Sequence, residues 1–195
     1  MKVVAFNGSP RENGNTAILL RCVLEELEKA GIETEFVQIG GRYIHGCIAC
    51  EECRRNKDGR CAQTDDPVND WIEKILAAQG VLLGSPTYFA DVTPEMKAFI
   101  DRTGYVARAN DRMFRHKVGA AVVAVRRAGA IHALDTLIHY FLINEMIVPG
   151  SSYWALAIGR EKGEVEHDKE GLETMKTLGR NMAWLLGRLY GSRAA

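Results

Sequence analysis

Four of the five cysteines lie in one short segment, as Cys47, Cys50, Cys53 and Cys61. Two residues separate each of the first three, a spacing typical of iron-sulfur ligands, which place four thiolates around one compact body. Zinc also binds four thiolates, although its sites usually pair two cysteine knuckles across a longer spacer. Idle thiols are a third interpretation, and a reducing compartment disfavours a disulfide. The spacing therefore predicts a metal or redox site and leaves the metal undecided.

A polar turn over residues 8–16 follows the first apolar run, Val3 to Phe6. It lacks both the G-x-G-x-x-G of dinucleotide sites and the lysine of a P-loop. Free N–H groups at a helix N-terminus favour a dianion there, and a terminal phosphate monoester fits. The structural alternative is that the glycines only shape a turn and that Asn15 or Thr16 only caps the helix.

A second polar turn, Gly84 to Phe89, follows the third predicted strand. In a parallel sheet both turns lie at the carboxyl edge, where the ligands of open α/β sheets bind. The aromatic residues Tyr88 and Phe89 suit a flat ring. Their alternative role as core aromatics is disfavoured, because they follow a turn and precede the polar Asp91.

These two motifs, with the T-P-x-M-K-x-F-I-D-R segment from Thr93 to Arg102, resemble those of the flavodoxin-like NAD(P)H-dependent FMN reductases. The resemblance spans nearly the whole chain and implies FMN as the cofactor. It implies phosphate contacts from Ser9, Arg11, Asn15 and Thr16 and ring contacts from Pro86, Thr87, Tyr88 and Phe89.

A third loop, 126–129, follows the predicted fourth strand, and Arg126 and Gly129 are further candidates for contact with the ring. Many of these reductases are richer in glycine here. One hypothesis is that Arg126 or Arg127 stabilises the anionic reduced flavin near its pyrimidine edge. The alternative is a solvated charge pair or a salt bridge between subunits.

The cysteine motif resembles that of the iron-sulfur flavoproteins, the flavodoxin-like subgroup that carries a 4Fe-4S cluster. The resemblance implies that the cluster lies near a flavin, that of the same subunit or of a neighbouring one. A flavin and a cluster together would join a two-electron couple to a one-electron carrier, with ferredoxin or NAD(P)H as the electron donor. Because the flavin carries out the chemistry, we assign no catalytic side chain.

Hydrophobic periodicity predicts strands at Val3–Phe6, Thr34–Ile39, Val81–Gly84, Lys117–Val125 and Ile147–Ile158, alternating with five helices. Such alternation predicts an α/β three-layer sandwich with a five-stranded parallel sheet, in the flavodoxin-like order 2-1-3-4-5. The predicted helices include one that begins after Asp66-Pro67 and one that runs from Thr93 to Ile100. We expect one FMN-binding domain over 1–195, with a cysteine-rich loop insertion at 41–66 and a frayed tail at 191–195.

The chain has 195 residues, and its 25 basic side chains balance its 25 acidic ones. Zero net charge gives no electrostatic reason to bind nucleic acid or an anionic membrane, and no apolar run is long enough to cross one. We expect a cytoplasmic protein. The largely apolar helix around residues 133–145 favours a homodimer or homotetramer.

Two other functions remain open at this point. One is a cluster-free NAD(P)H-dependent FMN reductase that acts on quinones, nitro compounds or flavins. The other is a non-catalytic protein that binds flavin, or whose cysteine loop is stabilised by zinc for interaction with partners.

Overall fold

Five parallel strands form one sheet in the order β2-β1-β3-β4-β5, which confirms the predicted topology. The computed structural model describes residues 1–191, so the prediction of a frayed tail lies outside the described residues from 192 onward. The three inner strands are almost wholly buried, as their continuous apolar runs predict. The strands are β1 (Lys2–Asn7), β2 (Glu33–Gln38), β3 (Gly80–Pro86), β4 (Val118–Val125) and β5 (Leu156–Ile158).

Helices cover both faces of the sheet. Helix α1 packs with α6 on one face, whereas α3, α4 and α5 lie on the other. The helices are α1 (Asn15–Lys29), α2 (Glu52–Asn56), α3 (Val68–Ala77), α4 (Pro94–Ala109), α5 (Ala130–Ile143) and α6 (Lys169–Tyr190), with a 3-10 turn at Glu164–His167. No helix within residues 1–191 is long and apolar enough to span a membrane.

Two predicted elements differ in length from those observed. The prediction of a strand over Ile147–Ile158 is wrong for most of that range, since only Leu156–Ile158 is a strand. Ile147 forms a single bridge with Val118, after which Pro149 and Gly150 interrupt the pairing. Helix α4 continues past the predicted end at Ile100 to Ala109.

The carboxyl ends of the inner strands meet at one edge of the sheet. In the parallel register Asn7 lies beside Gly84, and Pro86 lies beside Ala124. The backbone N–H of Gly8 donates to the carbonyl of Gly84 over 2.7 Å, which joins the first two turns. The loops after β1, β3, β4 and β5 are therefore neighbours, as a ligand site at this edge requires.

Candidate functional site

The turn after β1 leads into helix α1 without a side-chain cap. The N-cap residue is Gly14, and no side chain accepts a hydrogen bond from the first helical turn. Neither Asn15 nor Thr16 therefore has the capping role of the structural alternative. The first-turn N–H groups of an α-helix have no partner inside the helix, so they remain available to an anion.

Thr16 is the clearest sign of a missing ligand in this turn. Its side chain is buried, with 1% exposure, yet its Oγ1 has no hydrogen-bond partner among the described residues. Buried hydroxyls in proteins are nearly always paired, so an unpaired one indicates a group that binds there. A phosphate oxygen at the positive end of the α1 dipole would accept this hydrogen bond, and the site fits the phosphate of FMN.

The other predicted phosphate residues have different surroundings. Ser9 is buried, and its Oγ accepts the backbone N–H of Arg11 over 3.2 Å. The Arg11 side chain is exposed and has no ion-pair partner within residues 1–191. It is therefore available to an anion at the turn.

The carboxamide of Asn15 is already engaged by the loop after β5. Its Oδ1 accepts the N–H of Gly163 over 2.7 Å, and its Nδ2 donates to the carbonyls of Gly159 and Glu161 over 3.1 and 2.9 Å. Asn15 therefore fixes this loop beside the turn. Its backbone N–H is the group that remains for a phosphate, so the predicted side-chain contact stays a prediction.

The turn after β3 forms a tight hairpin over residues 87–91. The backbone groups of Tyr88 and Asp91 pair in both directions, over 2.7 and 3.0 Å. Between them Phe89 and Ala90 have φ values of 47° and 64°, the left-handed region that non-glycine residues rarely adopt. Phe89 is fully exposed and Tyr88 nearly half exposed, so they are not core aromatics. Such backbone strain clusters at binding sites, and the hairpin presents two rings to a ligand.

Thr87, at the base of this hairpin, repeats the pattern of Thr16. Its Oγ1 is buried and has no partner among the described residues, and Pro86 beside it is half buried. An isoalloxazine ring carries carbonyl and ring-nitrogen acceptors, so the hydroxyl fits the polar edge of such a ring. Two unpaired hydroxyls thus lie on adjacent loops of the edge predicted to hold FMN.

The loop after β4 packs directly under the hairpin. Gly129 has a φ of 88°, and a Cβ on it would come within 3.0 Å of the Ala90 Cα and 3.3 Å of the Thr87 Cγ2. Glycine is thus required both for the backbone conformation and for the close approach. Arg126 and Arg127 are exposed, and neither has an ion-pair partner in the described part of the chain.

Two threonines attach the hairpin and helix α4 to their neighbours. Thr136 on α5 donates its hydroxyl to the Asp91 carboxylate over 2.8 Å. Thr93 caps α4 and donates its Oγ1 to the carbonyl of Gly8 over 2.8 Å. The sequence analysis did not single out either threonine for these contacts.

The four clustered cysteines line one small cavity of about 80 Å³, between the insertion and α4. All are free thiols; Cys47 is exposed and the others are half buried. Burial raises the pKa of the Cys53 thiol, and the nearby Cys61, Cys47 and Cys50 raise it further. Among residues 1–191 no three His, Cys, Asp or Glu side chains converge so as to bind a single metal ion. The thiols therefore surround a space and do not meet at one point.

The donor set and backbone around this cavity fit an iron-sulfur cluster. Four sulfurs around one space match the ligand requirement of a compact cluster. Ala49 and Glu51, on either side of Cys50, have φ values of 53° and 59°. Left-handed residues in such turns commonly direct N–H groups towards an anion.

Side chains other than the cysteines hold the backbone of this insertion. Asn69 on α3 accepts the Cys61 N–H over 2.8 Å and donates to the Cys61 carbonyl over 3.0 Å. Asn110 donates to the Cys53 carbonyl over 3.3 Å, and Arg55 donates to the Cys50 carbonyl over 2.7 Å. Three of the four cysteines are therefore positioned by hydrogen bonds to their main chain, as outer-shell groups position metal ligands.

An ion pair between Arg102 and Asp66 is buried behind the cavity. Burial alone would raise the pKa of Asp66, but the Arg102 guanidinium and the Val68 N–H outweigh it and lower that pKa below its ordinary value. Helix α3 begins at Val68 with Pro67 as its N-cap residue, which confirms the predicted start after Asp66-Pro67, and the Asp66 carboxylate accepts the Val68 N–H over 3.2 Å. Sequence reasoning missed the ion pair, since its partners lie 36 positions apart.

The sheet order and the adjoining turns define a flavodoxin-like domain, and known proteins agree. Over residues 1–161 the chain matches the model of the NADPH-dependent FMN reductase family. It is 36% identical over 190 residues to an iron-sulfur flavoprotein of Methanocaldococcus jannaschii, covering 94% of this chain and 96% of that one. It is 29% identical to an iron-sulfur flavoprotein of Methanosarcina thermophila, covering 99% of each chain. The chain belongs to the NADPH-dependent FMN reductase family, in its iron-sulfur flavoprotein subgroup, and is therefore an oxidoreductase.

Solved structures support the fold alone. RosB with bound 8-demethyl-8-formylriboflavin-5'-phosphate superposes with a TM-score of 0.75 at 20% identity, over 98% of this chain and 81% of that one. A flavodoxin from the domain Archaea gives a TM-score of 0.61 at 15% identity, over 94% and 97% of the two chains. The flavodoxin-like prediction is confirmed.

Proposed function

We propose that this chain is an FMN-dependent redox protein that couples the flavin to a 4Fe-4S cluster in electron transfer. The observation that carries the proposal is the cavity lined by Cys47, Cys50, Cys53 and Cys61 in a member of the FMN reductase family. The names of the relatives, iron-sulfur flavoprotein, support the cluster. The chain would form one domain over 1–195, with the cysteine-rich insertion at 41–66.

The residues of the sheet edge would bind and orient FMN. The hydroxyl of Thr16, the first N–H groups of α1 and the side chains of Ser9 and Arg11 would hold the phosphate, with Asn15 fixing the adjacent loop. The ring would lie against the residues of the hairpin and the loop after β4, with the charge of Arg126 beside it. These ring residues are Pro86, Thr87, Tyr88, Phe89 and Gly129.

FMN exchanges one or two electrons and a 4Fe-4S cluster exchanges one, so together they would join a two-electron couple to a one-electron carrier. The four cysteines would bind iron as thiolates, and Asn69, Asn110 and Arg55 would hold three of them in place. Ferredoxin or NAD(P)H would be the electron donor. A reducing compartment keeps such thiols free, so we propose the cytoplasm.

Elemental analysis tests this function. Protein purified without oxygen in phosphate-free buffer should contain one phosphorus and about four irons per chain. Cys53→Ser should lower the iron and leave the phosphorus unchanged. Cys22→Ser is the matched control, because Cys22 lies half buried on α1 away from the cavity and should leave both counts unchanged.

Other results would overturn the proposal in distinct ways. Phosphorus without iron would identify a cluster-free reductase that acts on quinones, nitro compounds or flavins. Zinc in place of iron would make the insertion a structural element. Protein that contained neither iron nor phosphorus would exclude FMN as well as the cluster.

We propose that the protein forms a homodimer or homotetramer through the groove between α4 and α5. This groove encloses about 690 Å³, and the large apolar side chains Tyr105 and Ile143 along it are more than half exposed, as is neighbouring Leu142. Exposed apolar surface of this kind marks association sites. Light scattering should give a multiple of the chain mass that Ile143→Lys reduces; a monomeric wild type would contradict the assignment.

A further inference from the structure

Arg102 is the largest side chain that is fully buried in the described part of the chain, with 1% exposure. Its guanidinium makes four hydrogen bonds, all to the cysteine-rich segment. Nε donates to the Cys61 Sγ over 3.4 Å, Nη1 to the His45 carbonyl over 3.2 Å, and Nη2 to the Gln63 carbonyl over 3.0 Å. Nη1 also donates to the Asp66 carboxylate.

Packing alone does not account for this residue. Taking a guanidinium and a carboxylate out of water is expensive, and apolar side chains of similar volume often stabilise a core as well or better. The contacts of Arg102 point to a role in fixing the geometry of the cysteine-rich segment. Its guanidinium donates to the carbonyl of His45, before the first clustered cysteine, and to that of Gln63, after the last.

One planar group thus joins the two ends of the cysteine motif and contacts the sulfur of its fourth member. The other three cysteines are close together in sequence, whereas a longer segment, residues 54–60, separates Cys61 from them. Asn69 fixes its backbone, and only Arg102 among the described side chains donates to its sulfur.

We propose that Arg102 is a positioning residue that orients the Cys61 thiolate as the fourth cluster ligand and raises the reduction potential of the cluster. This inference rests on the proposed function. Reduction adds negative charge to the cluster, and an N–H donated to a ligand sulfur stabilises the reduced state, whereas the charge of Arg102 is balanced by that of Asp66. Arg54 also lines the cavity, but it is exposed and its charge is screened by water.

The first test is redox titration of the loaded protein, followed by electron paramagnetic resonance. Arg102→Lys keeps the charge beside Asp66 but loses the planar set of donors. Arg102→Gln combined with Asp66→Asn removes both charges, so that no unpaired carboxylate is left buried. Both variants should lower the midpoint potential of the cluster, because each loses the Nε–H that Arg102 donates to the Cys61 sulfur. Arg60→Lys is the matched control, because Arg60 pairs with Glu73 at the surface of the same insertion and should leave the potential unchanged.

The second test uses iron-free protein and does not depend on the cluster. Loss of the Arg102 contacts should speed amide exchange in segments 44–50 and 60–66 by about tenfold or more, while the strands stay protected. Unchanged exchange in both Arg102 variants would refute the positioning role, and an unchanged potential would refute the tuning role. A wild type that binds no iron would remove the proposed function, and the exchange result would still decide whether Arg102 orders the segment.

Discussion

Replacing Thr16 with valine separates the binding role of its hydroxyl from a structural one. The two side chains have nearly the same shape, so the substitution removes a hydroxyl without leaving a cavity. In the free protein that hydroxyl is buried without a partner among the described residues. Leaving a buried polar group unsatisfied costs about 1–3 kcal/mol, so Thr16→Val should raise the free energy of unfolding of the FMN-free protein by about that amount.

The same substitution should weaken FMN binding. A hydrogen bond to a charged group is worth about 1.5–3 kcal/mol, which corresponds to a Kd for FMN raised roughly 10- to 150-fold. Quenching of flavin fluorescence measures the Kd, and urea denaturation of FMN-free protein measures the stability. The two quantities should change in opposite senses, which a purely structural residue would not produce.

Thr103→Val is the matched control for this pair of measurements. Thr103 is equally buried, but its Oγ1 donates to the Phe99 carbonyl over 2.7 Å and lies 3.0 Å from the Tyr140 hydroxyl. Its loss should destabilise the protein and leave the Kd for FMN unchanged. If Thr16→Val instead destabilises FMN-free protein as Thr103→Val does, or leaves the Kd unchanged, the assignment of a phosphate site is wrong.

Three further predictions follow from the described contacts. Asn15→Ala should speed amide exchange in loop 159–163 about tenfold, because it removes three hydrogen bonds to that loop. Gly129→Ala should cost about 1–3 kcal/mol in urea denaturation and weaken FMN binding, because its Cβ would displace Ala90. The lowered pKa of Asp66 stabilises the fold above about pH 3.8, and this contribution is lost as the pH falls through the folded-state value. Asp66→Asn should therefore lower stability at pH 7 by about 3–5 kcal/mol, since it leaves Arg102 unpaired, and should flatten the acid limb of a stability–pH curve.

The main features of the sheet could be predicted because the inner strands depend on local sequence. Continuous apolar runs form the centres of β1 and β3 and the whole of β4, as is typical of strands buried on both faces. The fifth strand was predicted too long, because apolar residues on both sides of Pro149 and Gly150 suggested one continuous run. Hydrophobicity alone could not show where the chain leaves the sheet edge.

The sequence predicted those site residues that belong to a short motif. It did not predict contacts with residues that are distant in the sequence. The cysteine spacing led to a set of side chains that share one cavity. The engagement of Asn15 by loop 159–163 could not be read from its motif, because the partners lie more than 140 positions away. The role of Arg102 was hidden in the same way, since an arginine on a helix usually faces water.

Helix α4 connects the proposed FMN site at the sheet edge with the cavity lined by the four cysteines. Thr93 at its start is bonded to the turn after β1, and Arg102 and Asn110 further along hold the cysteine segment. Each helical residue adds about 1.5 Å of length and 100° of rotation, so one residue inserted between Thr93 and Arg102 would turn the guanidinium away from Cys61. Insertion of a whole turn would restore the rotation but would shift the guanidinium by about 5.4 Å along the helix, so the contacts at both ends fix the length of this segment.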